Sequence, residues 1–252
     1  MKKVIAPLVL SIILLSSCLT KIALNNLGVF EKSVSVKFIT NNKKQIVFLP
    51  MHHIGTSEFY KDEARIVDSL VQKGYSVFYE AVNKGNITDE LLFDTLKLKF
   101  RKITGIPKNS KGKTGLSIDT VNNTLFGKKS KLVTKYNLRN QGLSYFKKYD
   151  STKVINVDAS ISEMIFAYEK KYGVIVLNKN DFDVKFGDSY KHRESKEKRN
   201  FFTIETRNNI VTNVLMKSNA NKIVLVYGSA HFNGIFKNLQ AEDKNYKEVD
   251  KF

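Results

Sequence analysis

Four hydrophobic runs of the chain each end on a polar residue that is suited to acid–base or metal chemistry. The runs occupy residues 45–53, 75–80, 153–158 and 222–231, and they end on His53, Glu80, Asp158 and His231. Each run has the length and the β-branched or aromatic content of a strand. Because open α/β sheets bind ligands beyond the carboxyl ends of their strands, these side chains are predicted to converge.

Two imidazoles and one carboxylate suit two kinds of chemistry. His53, Glu80 and His231 match the ligand set of a divalent transition metal such as Mn, Co or Zn, which lowers the pKa of a bound water. Without a metal, one histidine acts as general base on a water that Glu80 orients. His52 competes with His53, because adjacent strand residues face opposite sides of a sheet. Asp158 is as consistent with a structural role as with a place in the site.

The segments between these runs predict helices that return the chain to the sheet. One helix is expected to start at Ser57 and to stop near Gly74, and another to start at the capping box of Ser160 and Glu163. The longest helix candidate covers residues 194–218 and leads into the last strand. Alternating strands and helices predict an α/β fold.

The N-terminus has the pattern of a secretory signal. Lys2 and Lys3 precede an apolar stretch at residues 4–15, which is shorter than the roughly 20 residues of a membrane-spanning helix. The Leu-Ser-Ser-Cys motif that ends at Cys18 resembles the bacterial lipobox, in which the signal is cut just before a cysteine that becomes lipidated. A plain signal or an N-terminal anchor helix is the alternative.

These features divide the chain into three parts. Residues 1–17 are predicted to be the signal peptide, and residues 18–44 the lipidated N-terminus with a linker and a candidate edge strand. Residues 45–252 form the predicted α/β domain. Cys18 is the only cysteine, so its acylation would leave no thiol for a disulfide bond. The predicted location is the cell envelope, with the protein lipid-anchored to a membrane.

The chain is strongly basic. Its 42 Lys and Arg against 24 Asp and Glu give a formal net charge of +18. Such a balance is typical of nucleic-acid binding, but export favours anionic head groups as the partner instead. A compositional bias of the proteome explains the lysines equally well. Nine basic residues and one acid lie between Arg101 and Lys135, which predicts a long loop or excursion at about residues 101–135.

The C-terminal third carries a resemblance to a known family. Lys198-Arg199-Asn200 and the run Val224 to Gly234, which contains Gly-Ser-Ala-His-Phe-Asn-Gly, are similar to the TraB/PrgY/GumN/Tiki superfamily, related in fold to ChaN and to erythromycin-esterase-like proteins. The resemblance covers residues 45–248. It implies a mixed central β-sheet flanked by helices, with His53, Glu80 and His231 as the site and Arg199 as an accessory that stabilises an oxyanion.

The resemblance implies more than one activity, because Tiki-like members are metal-dependent membrane-tethered peptidases whereas other relatives are histidine-base hydrolases or haem-binding proteins. The leading hypothesis is an envelope lipoprotein with a Tiki-like hydrolase domain and metal-assisted cleavage of a peptide or amide bond. The rival is a non-catalytic lipoprotein that holds haem, a peptide or a partner in the same cleft.

The lipobox resemblance generates a direct prediction. Cys18→Ser is expected to abolish lipid labelling and to release the protein from the membrane or stop its processing, because the acylated thiol is the anchor. Metabolic labelling with a radioactive fatty acid, together with membrane fractionation, measures both effects. Unchanged membrane partitioning of the variant, with an intact N-terminus, would contradict the prediction.

Overall fold

The computed structural model describes residues 21–22, 24–105, 132–184, 190 and 192–252. Cys18 and most of the basic excursion lie outside these described residues. The chain folds into two compact units, each built from separate stretches. Unit 1 takes its described residues from Met1–Ser35, Met51–Ser69 and Leu116–Phe146, and unit 2 takes them from Val36–Pro50, Leu70–Gly115 and Lys147–Phe252.

A mixed β-sheet is the centre of unit 2, as the sequence predicts. Among the described residues it has six strands in the order β6-β4-β7-β2-β1-β8. Their bounds are β1 Lys37–Thr40, β2 Gln45–Met51, β4 Ser76–Tyr79, β6 Val154–Asn156, β7 Lys222–Gly228 and β8 Lys247–Val249. β4 pairs in parallel with both β6 and β7, whereas β1 pairs antiparallel with β2 and β8. β1 therefore lies inside the sheet, and the prediction of an edge strand near residues 34–39 is wrong.

Helices flank this sheet, which confirms the predicted α/β class. The helices of unit 2 are α2 Glu90–Thr104, α4 Ile161–Tyr172, α5 Lys179–Asp183, α6 Lys196–Asn200, α7 Thr206–Lys217 and α8 Phe232–Glu242, whereas α1 Ser57–Gln72 begins in unit 1. A π-helical turn, Phe201–Glu205, joins α6 to α7, so the long helix predicted for residues 194–218 is present with a widened turn at its middle. None of the helices in the described part of the chain is long and apolar enough to cross a membrane.

The helix pair α7 and α8 covers one face of the sheet. Val211 and Leu215 of α7 and Leu239 of α8 are buried in one core cluster with sheet residues such as Phe48 and Leu225. All residues from Ile223 to Tyr227 are buried, as expected for a central strand that is covered on both faces. β7 is therefore rigidly held along its length, and this fixes where its carboxyl end lies.

Helix α2 was not predicted from the sequence. The Asp89 side chain caps it by accepting hydrogen bonds from Leu91 and Leu92, and Gly105 ends it with a φ of 69°. Arg101, which was expected to open an exposed loop, is fully buried and donates to the carbonyls of Val184 and Asp181. The predicted excursion therefore cannot begin before Gly105.

Unit 1 has a smaller sheet of its own. Strand β3, Ile54–Thr56, pairs antiparallel with β5, Leu138–Asn140, and the short helix α3, Leu132–Lys135, precedes β5. Leu24, Val29, Ile54 and Leu138 form its apolar cluster. Helix α1 starts as predicted, but its cap is Thr56 rather than Ser57, because the Thr56 hydroxyl accepts from the Phe59 N–H.

A buried carboxyl group lies on α1 in unit 1. Glu63 is 1% exposed, and the Tyr145 hydroxyl donates to its Oε1. Its Oε2 has no hydrogen-bond partner in the part of the chain that the structure describes. Burial raises the pKa of Glu63 to about 7, although the Tyr145 hydrogen bond opposes the rise. Glu63 consequently holds a proton in the folded state at pH values where an exposed glutamate does not.

Glu63 is expected to make stability fall as the pH rises. Between an unfolded pKa near 4.5 and the folded pKa of about 7, the folded state binds a proton that the unfolded state lacks. The free energy of unfolding should therefore decrease through this window by on the order of 3 kcal/mol, from about 1.4 kcal/mol for each pKa unit. Glu63→Gln should remove this decrease, because the amide keeps the acceptor for Tyr145 without a charge.

Urea unfolding at pH 5, 6, 7 and 8 measures the effect. Glu58→Gln on the same helix is the control, because Glu58 is exposed. An identical pH dependence in the wild-type chain and in Glu63→Gln would show that Glu63 stays ionised in the fold.

Candidate functional site

Three neighbouring strands of unit 2 end at one edge of the sheet. β4, β6 and β7 run parallel, so their carboxyl ends lie side by side. Glu80 directly follows β4, Asp158 comes two residues after β6, and Gly228 is the last residue of β7. The convergence that the sequence predicts for Glu80 and Asp158 is therefore present in the structure.

Arg207 joins the two carboxylates. It lies in the first turn of α7 and is 9% exposed. Its Nε and Nη2 donate to the two oxygens of Asp158 at 2.8 and 2.7 Å, and Nη2 also donates to Glu80 Oε1. This two-point contact is the strong geometry for a guanidinium and a carboxylate. It fastens the ends of β4 and β6 to the start of α7.

The end of β7 completes the network. The Tyr227 hydroxyl donates to Asp158 Oδ1 at 2.5 Å, and the Gly228 N–H donates to Glu80 Oε2. Burial raises the pKa of Tyr227, so the phenol keeps its proton. Burial opposes the charge of Arg207, but the carboxylates of Asp158 and Glu80 outweigh it and raise the pKa of Arg207. The network therefore holds one permanent positive charge between two carboxyl groups.

His231 lies beside this network in a turn that follows β7. Its Nδ1 is 2.7 Å from Asn208 Oδ1, and its ring meets the Tyr227 ring edge to face at 4.9 Å. An amide oxygen accepts, so Nδ1 carries the proton and Nε2 is the basic nitrogen. His231 is 3% exposed, whereas Ser229 and Ala230 just before it are exposed.

Two glycines let the polar side chains approach the backbone. A Cβ at Gly228 would lie 2.9 Å from Glu80 Oε2 and 3.3 Å from His231 Cδ2, so both side chains lie against this residue. A Cβ at Gly234 would lie 2.0 Å from Asn208 Nδ2. At both positions a side chain of the site lies where a Cβ would be, so these glycines are explained by space rather than by a positive φ.

Arg199 has no place in this network. Its Nη1 donates to the Glu194 carbonyl at 3.3 Å. The dipeptide Arg-Asn occurs three times, at 139–140, 199–200 and 207–208, and the copy at 207–208 supplies the site. The structure therefore brings Arg207, and not Arg199, to the two carboxylates.

A signal in the sequence would have found Arg207. It precedes Val211 by four residues and Leu215 by eight, and both of these are core residues of α7. Positions i, i+4 and i+8 share one helix face, so Arg207 faces inward at the sheet. The sequence carries a comparable signal for Tyr227, because every second residue of β7 faces the same side and Tyr227 follows the core residues Ile223 and Leu225 at that spacing.

The two neighbouring histidines belong to unit 1. His52 makes two polar contacts. Its Nε2 is 3.4 Å from Glu31 Oε2, and the Tyr60 hydroxyl donates to its carbonyl at 2.8 Å. His53 is exposed, and its carbonyl accepts from Gln141. His192, in unit 2, is exposed. Unit 2 by itself therefore brings together Glu80 and His231 of the predicted metal ligands.

The contacts of unit 2 do not fit a resident metal. Both oxygens of Glu80 and the Nδ1 of His231 already have hydrogen-bond partners. Across the described ranges, no group of three or more His, Cys, Asp or Glu side chains is placed to hold an ion. The acid–base alternative is the one that these contacts support.

Comparison of the chain with protein-family models, with curated proteins and with solved structures finds no match of any of the three kinds. The site must therefore be interpreted from its own chemistry.

Gly234→Ala is expected to destabilise the protein by roughly 1–3 kcal/mol, the usual cost of overpacking. The new methyl group would displace the Asn208 amide and separate its oxygen from His231 Nδ1. The sign of this stability change tests the packing, because Gly→Ala inside a helix normally stabilises a protein by about 1 kcal/mol.

Urea unfolding measures the stability change, and the nitrogen NMR shifts of His231 report the lost hydrogen bond. Gly142→Ala is the control, since a Cβ there meets nothing within 4 Å. A stabilised Gly234→Ala variant with unchanged His231 shifts would contradict the packing described.

Proposed function

We propose that unit 2 is a hydrolase domain for peptide or amide bonds, carried by an envelope lipoprotein with its lipid on Cys18. The observation that supports the proposal is the orientation of His231. Asn208 fixes the proton on Nδ1 of His231, so Nε2 is the base. The Glu80 carboxylate and the His231 ring both lie against Gly228. A histidine with a fixed tautomer beside a carboxylate is the arrangement that general-base catalysis requires.

The residues divide the chemistry between them. Nε2 of His231 takes a proton from a water as the water attacks the carbonyl carbon of the substrate, and it returns the proton to the leaving nitrogen. Arg207, Glu80 and Asp158 carry one positive and two negative charges, so their sum is negative when both acids are ionised. This excess stabilises the imidazolium that forms when His231 accepts the proton.

Arg207 acts in this mechanism as a positioning residue. Its guanidinium is occupied by two carboxylates, so it differs from the oxyanion-stabilising role that the sequence suggested for Arg199. Its contribution is to hold the Glu80 carboxylate at the end of β4, next to Gly228. The substrate approaches at the exposed residues Ser229 and Ala230, which precede His231 in the turn.

One observation favours the second candidate, a binding lipoprotein that holds haem, a peptide or a protein partner without catalysis. His231 is only 3% exposed, and the polar side chains around Arg207 are hydrogen-bonded to one another. Burial and internal hydrogen bonding of this kind are typical of residues with a purely structural role. The two functions differ in a measurable way, since only the enzyme releases new amino groups.

His231→Ala is expected to lower hydrolysis at least 100-fold, because a general base contributes roughly 10²–10⁴ in rate. The purified chain is incubated with a mixture of peptides and N-acyl amides, and products are identified by mass spectrometry. His192→Ala is the matched control, because that histidine is exposed in the same unit. Thermal unfolding verifies that both variants fold.

Full hydrolysis by a folded His231→Ala variant would refute the assignment of the base. No hydrolysis by the wild-type chain, together with stoichiometric peptide or haem binding that His231→Ala removes, would establish the binding function instead. Hydrolysis that a chelator abolishes would show that the reaction requires a bound metal ion.

A further inference from the structure

Four large apolar side chains are exposed along one short stretch of unit 2. Phe166 of α4 is 70% exposed, Val174 and Val176 beyond the helix end are 75% and 73% exposed, and Phe182 of α5 is 60% exposed. We call these four residues the apolar face. Isolated exposed apolar residues are ordinary, whereas large exposed apolar patches mark interaction surfaces.

The apolar face is held in place by the helix next to it. Lys99 of α2 pairs with Glu169 at 2.7 Å, and Lys102 of α2 donates to the Val176 carbonyl at 2.9 Å and pairs with Asp181 at 2.6 Å. Ile175 packs into the helical core cluster. Since side chains alternate along an extended segment, Val174 and Val176 point away from that cluster. Their exposure is therefore a property of the fold.

Basic side chains accompany the apolar face. Lys170, Lys171 and Lys179 are exposed in the same stretch, and Lys170 lies one helical turn from Phe166. Two acids of the stretch, Glu169 and Asp181, are neutralised by the lysines of α2. The Glu163 side chain takes part in the capping box that starts α4. The remaining exposed charged side chains of this stretch are one acid, Asp183, and the three lysines.

We propose that the apolar face is a docking surface for an anionic lipid bilayer. Phenylalanine and valine side chains enter the boundary between head groups and acyl chains, while the lysine ammonium groups remain at the level of the lipid phosphates. A protein partner would equally cover apolar area, but the exposed lysines match a negatively charged surface. The inference rests on the envelope location in the proposed function and is independent of hydrolysis.

A fluorophore at the apolar face tests the proposal. In the full chain with Cys18→Ser, Phe166→Cys supplies a single thiol for an environment-sensitive dye. Vesicles that contain phosphatidylglycerol are expected to shift the emission to the blue, and vesicles of phosphatidylcholine alone to give at most a tenth of that response. Lys237→Cys, at an exposed position on α8, is the matched control and should not respond.

Charge reversal provides the second measurement. Lys170→Glu with Lys179→Glu is expected to weaken the phosphatidylglycerol response at least tenfold, with thermal unfolding as the folding check. No blue shift with anionic vesicles would overturn the proposal. A blue shift that grows with protein concentration in the absence of vesicles would assign the face to a second copy of the chain and also overturn it. Neither result depends on Cys18 acylation or on peptide hydrolysis, so the proposed function stands or falls separately.

Discussion

The ion pair between Arg207 and two carboxylates is the interaction on which the rest of unit 2 depends. A buried guanidinium is costly unless it is paired and hydrogen-bonded. Asp158 meets this requirement with a two-point contact, and Glu80 adds a further oxygen. Removing one partner from such a pair typically costs about 3–5 kcal/mol, because a charge is left buried and uncompensated. The start of α7 can therefore occupy only one position relative to the strand ends.

This constraint reaches His231 through the residues next to Arg207. Asn208 follows it in the helix and accepts from the imidazole, and Gly234 leaves the space that the Asn208 amide needs. Tyr227 bonds Asp158 and also lies edge to face against the His231 ring. The orientation of the histidine is consequently set by the same helix turn and strand end that bury the ion pair.

The local parts of this architecture could be predicted from the sequence, because they depend on short-range rules. The hydrophobic runs became β2, β4, β6 and β7, and the capping box at Ser160 starts α4 as expected. The pairing of Arg207 with Asp158 joins residues 49 positions apart, and the Arg-Asn motif by itself does not show which arginine makes it. Matching the motif favoured Arg199, whereas the helical spacing of Arg207 to the core residues Val211 and Leu215 favours Arg207.

Two further predictions were wrong because they depended on contacts between distant parts of the chain. β1 was expected at an edge because its alternation suits a half-buried strand, but β8 from the C-terminal end of the chain pairs with it. Arg101 looked like part of a solvated basic loop, yet its guanidinium satisfies two carbonyls of the segment around α5. A basic residue that is fully buried cannot be recognised by composition, since its partners are backbone groups that any sequence supplies.

The chain buries carboxyl groups in two ways, and the contrast bears on where chemistry can occur. Glu63 accepts a hydrogen bond from the Tyr145 hydroxyl, and burial raises its pKa to about 7, so its carboxyl group is mostly protonated below that pH. Glu80 and Asp158 have Arg207 and therefore form ion pairs. One guanidinium therefore faces two carboxylates at the strand ends next to His231. In the proposed mechanism their negative charge would favour the imidazolium that forms when the histidine accepts a proton. The ion pair thus fixes the geometry of the histidine, and the proposed mechanism gives the two carboxylates a second role at the same place.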